Sequence, residues 1–146
     1  KMSAYQKSIP SKPVAEVFEG VVSVSGILDE IVDEAEKVDI IGSQEGAEDR
    51  IGFRTDSFRT KRKRKGVRVR QILEDSPPAR RETTDKLSKV RYLKSLKGSR
   101  EAQFIYDDVT VHLILSDEIS AIRVSSKEYT DAKRILFEEL WKNASR

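Results

Sequence analysis

The segment QFIYDDVTVHLILSDEISAIRV, Gln103 to Val124, carries the pattern that decides the fold. Three short β-rich runs, QFIYDD, VTVHLIL and SAIRV, are separated by Asp107-Asp108 and by Ser116-Asp117-Glu118, both turn material. They predict an antiparallel meander of three strands. Alternation along the middle run puts Val109, Val111, Leu113 and Leu115 on one face and Thr110, His112 and Ile114 on the other. His112 is the only histidine in the chain, so the functional question begins there. Asp107 and Asp108 are adjacent in a two-residue turn, where their side chains diverge. A turn role therefore suits them better than a joint acid/base role.

Downstream, SSKEYTDAKRILFEELWKNA has the strongest helical signal. Ser125 with Glu128 matches a capping box. Tyr129, Ala132, Leu136 and Leu140 fall on one stripe, widened by Phe137, Trp141 and Ala144. A stripe this wide buries more than one side, which makes Phe137, Leu140 and Trp141 candidates for a subunit contact. Upstream, Val14 to Val24 reads as a strand and turn interrupted at Gly20, with Ser25-Gly26 as a helix cap. Ile27, Leu28, Ile31, Val32 and Ala35 then form a helical stripe, and VDIIGS is a short buried strand. Gln44 to Lys65 is polar, with Ile51, Phe53 and Phe58 as anchors, and contains a helix ending at Gly66. VRVRQIL is a strand, EDSPPARRETTDKL a Pro-Pro turn and short helix, and VRYLKSL a further strand. Helices alternating with β-runs, then a meander and a long helix, predict an α/β sandwich with a mixed sheet.

Composition narrows the class. The chain has 146 residues, suited to one domain, with 37% hydrophobic and 36% charged residues. No apolar run is long enough to span a membrane, and no secretion signal is seen. The lack of cysteine excludes disulfides and thiolate chemistry and fits a cytoplasmic protein. With one histidine, a transition-metal site would need carboxylates alone or a symmetric partner. No cofactor or metal is expected: G-x-G-x-x-G, the phosphate loop and G-x-S-x-G are all missing.

Net charge is only +3, but its distribution is uneven. Asp29 to Asp49 holds nine carboxylates against Lys37, whereas eight of the twelve residues in RTKRKRKGVRVR, Arg59 to Arg70, are basic. The basic run is either a nucleic-acid contact, with Arg62, Arg64 and Lys65 as candidates, or a solvated face opposite an acidic helix. The i,i+4 pairs Asp29/Asp33 and Glu30/Glu34 lie off the apolar stripe and read as solvated. KMSAYQKSIPSKP has its methionine second and reads as a linker, residues 1–13, from a missing N-terminal domain, with residues 14–146 as the domain proper.

The order of VFEGVVSVSGILDEIVDEAEKVDIIGS, RKGVRVRQILEDS, IYDDVTVHLIL and ILFEELW, from about Val14 to Trp141, resembles the C-terminal phospholipase D-like domain of TrmB-type transcription regulators. The resemblance implies a phospholipase D-like α/β sandwich and a winged helix-turn-helix DNA-binding domain before it. It also implies a homodimer and a regulatory role, with a small-molecule effector whose identity stays open. Enzymes of that fold carry H-x-K-x-x-x-x-D. Counted from His112, Ile114 and Ile119 stand where the lysine and aspartate would be. An isoleucine neither neutralises a phosphate nor orients an imidazole, so the expectation is a domain that is not an enzyme. Tyr106, Asp108, His112 and Arg123 are the expected lining of a ligand pocket. Two other readings stand beside this one: a phospholipase D-fold nuclease or phosphodiesterase with a degenerate motif, and a basic nucleic-acid-binding module built on Arg59 to Arg70.

Overall fold

The computed structural model describes residues 12–42, 44–81 and 85–146, with side chains from residue 55 onward in the helix that opens at Gln44. Most of the expected linker 1–13, together with Ile51, Phe53 and the segment 82–84, lies outside the described residues or side chains. Among the described residues seven strands form one mixed sheet: β1 Val14–Glu19, β2 Lys37–Gly42, β3 Arg68–Glu74, β4 Ser88–Leu93, β5 Glu101–Tyr106, β6 Val109–Ile114 and β7 Ser120–Ser125. Their order is β1-β7-β6-β5-β2-β3-β4. β2, β3 and β4 are parallel, and every other pairing is antiparallel. The helices are α1 Val21–Glu34, α2 Gln44–Lys65, the short α3 Pro77–Arg80 and α4 Lys127–Asn143.

Two helical layers enclose the sheet. Val24, Ile27, Leu28, Ile31 and Val32 of α1 meet the β-face formed by Val38, Ile40, Val69, Phe104, Val111 and Leu113. Phe58 of α2 joins that core edge-on to Phe104, with ring centroids 5.8 Å apart. The opposite face packs under α4, where Phe137 is fully buried against Ile72 and Ile105. A buried hydroxyl pair, Thr110 with Thr130 at 3.0 Å, pins β6 to α4. The expected meander is β5-β6-β7. Asp107 takes φ 48 in its first turn, a left-handed conformation that Asp tolerates better than most side chains.

Three local expectations are corrected. Val21 to Val24 open α1 rather than continuing a strand: Gly20, at φ 88, ends β1, and Val24 lies one turn before Ile27 and Leu28 on the same buried stripe. Ser25 and Gly26 are therefore inside the helix, and the Ser25 hydroxyl bonds back to the Val21 carbonyl at 2.8 Å. The cap of α4 is Ser126, one residue later than expected, with Oγ accepting from Tyr129 N at 3.2 Å. Ser125 is still in β7. The buried stripe of α4 is Thr130 and Phe137, continued by its C-cap residue Ala144, so Leu136 and Ala132 face solvent.

Candidate functional site around His112

The hairpin centred on Asp107-Asp108 sets the pairing that builds this site. Gln103 of β5 lies directly opposite His112 of β6, and Ile122 of β7 lies opposite His112 on the other side. Glu101 is two residues before Gln103 and so projects on the same face, diagonal to the histidine. Glu101 Oε2 is 3.0 Å from His112 Nδ1, and Gln103 Nε2 donates to Glu101 Oε1 at 3.0 Å. Tyr129, in the first turn of α4, brings its hydroxyl to 2.9 Å from His112 Nε2. Its ring meets the imidazole edge-on at 6.1 Å, and the Lys133 ammonium lies 5.0 Å from the Tyr129 ring centroid.

An ionised Glu101 can only accept, so Nδ1 carries the proton, and in the neutral imidazole Nε2 accepts from the Tyr129 hydroxyl. The His112 side chain is 11% exposed, whereas Glu101 is 44% exposed, so the histidine is sheltered and its orienting carboxylate touches water. A carboxylate that orients an imidazole against a hydroxyl can polarise that hydroxyl and move a proton along the chain. Because Gln103 is also in register with Ile41 of β2, the cluster sits near the carboxyl ends of the parallel strands. Open α/β sheets place ligands at such ends.

The other expected pocket residues do not join it. Tyr106 and Arg123 project from the face under α1, because strand alternation gives them the parity of Phe104 and Ala121. Tyr106 is buried in the core, and Arg123 is an internal tie. Its Nε and Nη2 donate to Glu16 at 3.2 and 2.9 Å, and Nη1 donates to Glu30 at 2.5 Å. Asp108 is in the hairpin turn, where its carbonyl accepts from Ser126 N. The candidate interface residues are also taken up internally. Phe137 has no exposed surface and stacks on Trp141 at 5.8 Å, and Leu140 and Trp141 pack on the same cluster. The exposed large apolar residues of α4 are Ile135 and Leu136 instead.

Of the basic candidates, Arg62 is 5% exposed and donates to Asp85 Oδ2 at 2.8 Å and to the Val67 carbonyl, closing the end of α2. Lys65 reaches the carbonyls of Val32 and Asp33, and Arg64 is exposed. Lys61 pairs with Asp29 at 2.7 Å, so α2 does lie against the acidic helix. Glu101, Tyr129 and Lys133 were missed in the sequence. A signal for the first was present, since a two-residue turn at Asp107-Asp108 already places Gln103 and Glu101 beside His112.

No protein-family model matches this chain, and no curated protein sequence matches it. Solved structures do. TrmBL2, an archaeal chromatin protein whose structure shows a novel mode of DNA binding, superposes with a TM-score of 0.64 at 13% identity. A phospholipase D family member, Nuc from Salmonella typhimurium, gives 0.64 at 10% identity, and NucT from Helicobacter pylori gives 0.66 at 14%. The fold is phospholipase D-like. The match covers 90% of this chain and 53% of TrmBL2, so the chain spans about half the length of that protein. It covers 91% of this chain and 97% of Nuc, and 92% of this chain and 99% of NucT. The expectation that the domain is not an enzyme is corrected by these matches, because the same fold is that of a phospholipase D family member over nearly its whole length. Departure from H-x-K-x-x-x-x-D at Ile114 and Ile119 is a fact about one motif, and it does not remove this chain from a fold that enzymes share.

Proposed function

We propose that this chain is the regulatory, self-associating domain of a TrmB-type transcription regulator. DNA would be contacted mainly through a winged-helix domain at its N-terminal side, and the protein would be cytoplasmic. The observation that carries this is the coverage: nine-tenths of this chain matches one half of a DNA-binding chromatin protein. The surface suits self-association. Val17, on the edge strand β1, is 65% exposed and in register with Ile122, which continues the row to His112 and Gln103. An open sheet edge carrying an exposed valine next to a half-buried isoleucine is a surface that another subunit can cover. Sedimentation of the chain should give a dimer, and Val17→Asp should shift it to monomer without lowering thermal stability. A monomer at high concentration for the unsubstituted chain would overturn the proposal. No helix among the described residues is long and apolar enough to cross a membrane.

A second reading, phosphodiester cleavage, is favoured by one observation, the Glu101–His112–Tyr129 chain. An assay on single- and double-stranded DNA decides it. Cleavage by the unsubstituted chain that is lost in His112→Ala and in Tyr129→Phe would replace the regulatory reading with a nuclease.

A further inference from the structure

We propose that the amino ends of β2, β3 and β4 form a docking surface for the phosphodiester backbone of a nucleic-acid duplex. This goes beyond the regulatory reading, in which DNA contact belongs chiefly to another domain. A concavity of about 290 Å³ opens at those strand ends. Its charged lining is Lys37, Asp39, Arg68, Arg70, Lys86 and Lys89. Parity puts Lys37, Arg68, Arg70 and Lys89 on the face that carries α4, with Lys37 beside Arg68 and Arg70 beside Lys89 in register.

The internal charges balance only in part. Arg70 holds Asp39, the one acid of the lining, through two bonds of 2.9 and 3.0 Å, and it also binds Glu138. Lys37, Arg68, Lys86 and Lys89 are exposed, and their side chains have no hydrogen-bonded or ion-paired partner among the described residues, although the Lys37 charge acts on Glu138. Like charges in register on neighbouring strands destabilise a sheet. Lys37 beside Arg68 is such a pair, and an external polyanion would offset its cost. The basic run on α2 is different: Lys61 and Lys65 already have partners on α1, and Arg62 has them in Asp85, before β4, and in the Val67 carbonyl.

The shape of the cluster selects the ligand. The four exposed cations come from two strand starts, the turn before β4 and β4 itself. They are spread along an edge, and none is a buried donor converging on one point. A small anion needs a convergent, sheltered site. A row of solvated cations suits successive phosphates along a strand, which position a duplex without reading its bases.

Binding of a short fluorescent duplex to the full chain, followed by anisotropy over a salt series, tests this. Four phosphate contacts give a slope of log K against log salt of about −3.6, so a fourfold rise in salt weakens binding about 150-fold. Lys37→Gln with Arg68→Gln should cut the slope by about 1.8, and adding Lys86→Gln and Lys89→Gln should abolish binding. Arg64→Gln, on α2, should leave it unchanged. The proposal is overturned if the unsubstituted chain does not bind at low salt, if the fourfold variant binds equally well, or if Arg64→Gln removes as much as Lys37→Gln. Displacement of the duplex by inorganic phosphate at constant ionic strength, or equal affinity for anionic lipid vesicles, would also overturn it in favour of a free-anion or membrane site. Self-association of the same variants, measured by sedimentation, should stay that of the unsubstituted chain, so failure here is distinguishable from failure of the regulatory reading.

Discussion

Replacing Arg70 with methionine tests whether α4 is held to the sheet by charge as well as by apolar contact. Arg70 joins three elements: it holds Asp39 on β2 from its own strand β3, and its Nη1 and Nη2 lie 3.2 and 2.6 Å from the Glu138 carboxylate on α4. Its guanidinium carbon also lies 4.9 Å from the Phe137 ring centroid and 5.4 Å from that of Trp141. The Glu138 and Asp39 hydrogen bonds raise the Arg70 pKa above its ordinary value. Methionine keeps most of the aliphatic stem and removes only the charge and the fork. The side chains of Arg70 and Asp39 are 32% and 20% exposed, so after allowance for solvent screening that pair contributes about 1–2 kcal/mol. Glu138 is 52% exposed, so its arm adds roughly 0.2–1 kcal/mol. The aromatic contact adds about 0.5–1 kcal/mol. The expected loss is about 2–4 kcal/mol, read as a lower urea midpoint at constant m-value and a Tm lower by roughly 6–12 °C. A double-mutant cycle with Asp39→Asn should show coupling of about 1 kcal/mol. A loss under about 0.5 kcal/mol, or strict additivity of the two substitutions, would refute this account of how the layer is held.

Two further outcomes follow from the same geometry. Ser126→Ala should cost about 1 kcal/mol by removing the α4 cap. Ser125→Ala should cost nothing measurable, since the Ser125 hydroxyl is buried without a hydrogen-bond partner among the described residues; urea midpoints of the two variants check the placement of the cap. Acidification should lower stability through Asp85 and Glu138. Burial raises the Asp85 pKa, but bonds from Arg62, Leu87 N–H and Ser88 together hold it below its ordinary value. Glu138 is held down chiefly by its Arg70 bond. Both folded-state values lie below the unfolded ones, so their stabilisation is present above the usual carboxylate range and is lost as pH falls through the folded values. The urea midpoint should drop over that interval, and less steeply in Arg62→Met. A midpoint insensitive to acid would contradict it.

Much of the fold was legible because period and parity are local. The meander, the parity of His112, β2, β3 and the end of α2 at Gly66 all follow from alternation, glycine placement and turn chemistry. Two of the misreadings share one cause, β-branched or small residues at helix starts. Val21 and Val22 have strand propensity, yet Val24, buried one turn before Ile27, shows that tertiary contact decides in favour of helix. Adjacent serines at 125 and 126 could each cap α4, and only the end of β7 chooses between them. Site residues were harder to foresee because a side chain's partners come from distant segments. Arg123 meets Glu30 across 93 positions, and Arg70 meets Glu138 across 68. Phe137 and Trp141 were placed correctly on an apolar stripe. Whether a stripe is buried within the subunit or by a second one depends on how much sheet lies beneath it, which helical periodicity does not encode.

That last quantity also explains where the candidate sites lie. Seven strands about 4.8 Å apart make a sheet some 29 Å wide, whereas a helix with its side chains is about 10–12 Å across. On one face two long helices share the cover. On the other, α4 is the one long helix among the described residues, and it runs obliquely from β6, at Thr130, to β4, where the Trp141 carbonyl accepts from Arg91. A single helix on that path leaves uncovered sheet on both sides. One strip runs from Val17 and Ile122 to the His112 cluster, and the other is the basin at the starts of β2, β3 and β4. Exposed strand positions cannot all be apolar without inviting aggregation. Glutamate and glutamine therefore flank the sheltered histidine in one strip, and lysine and arginine occupy the other. Self-association at the first strip and phosphate contact at the second are compatible because α4 separates them. Val17→Asp should thus disrupt the proposed dimer while leaving the salt dependence of duplex binding per subunit as it was, and loss of both together would show that the two strips form one surface.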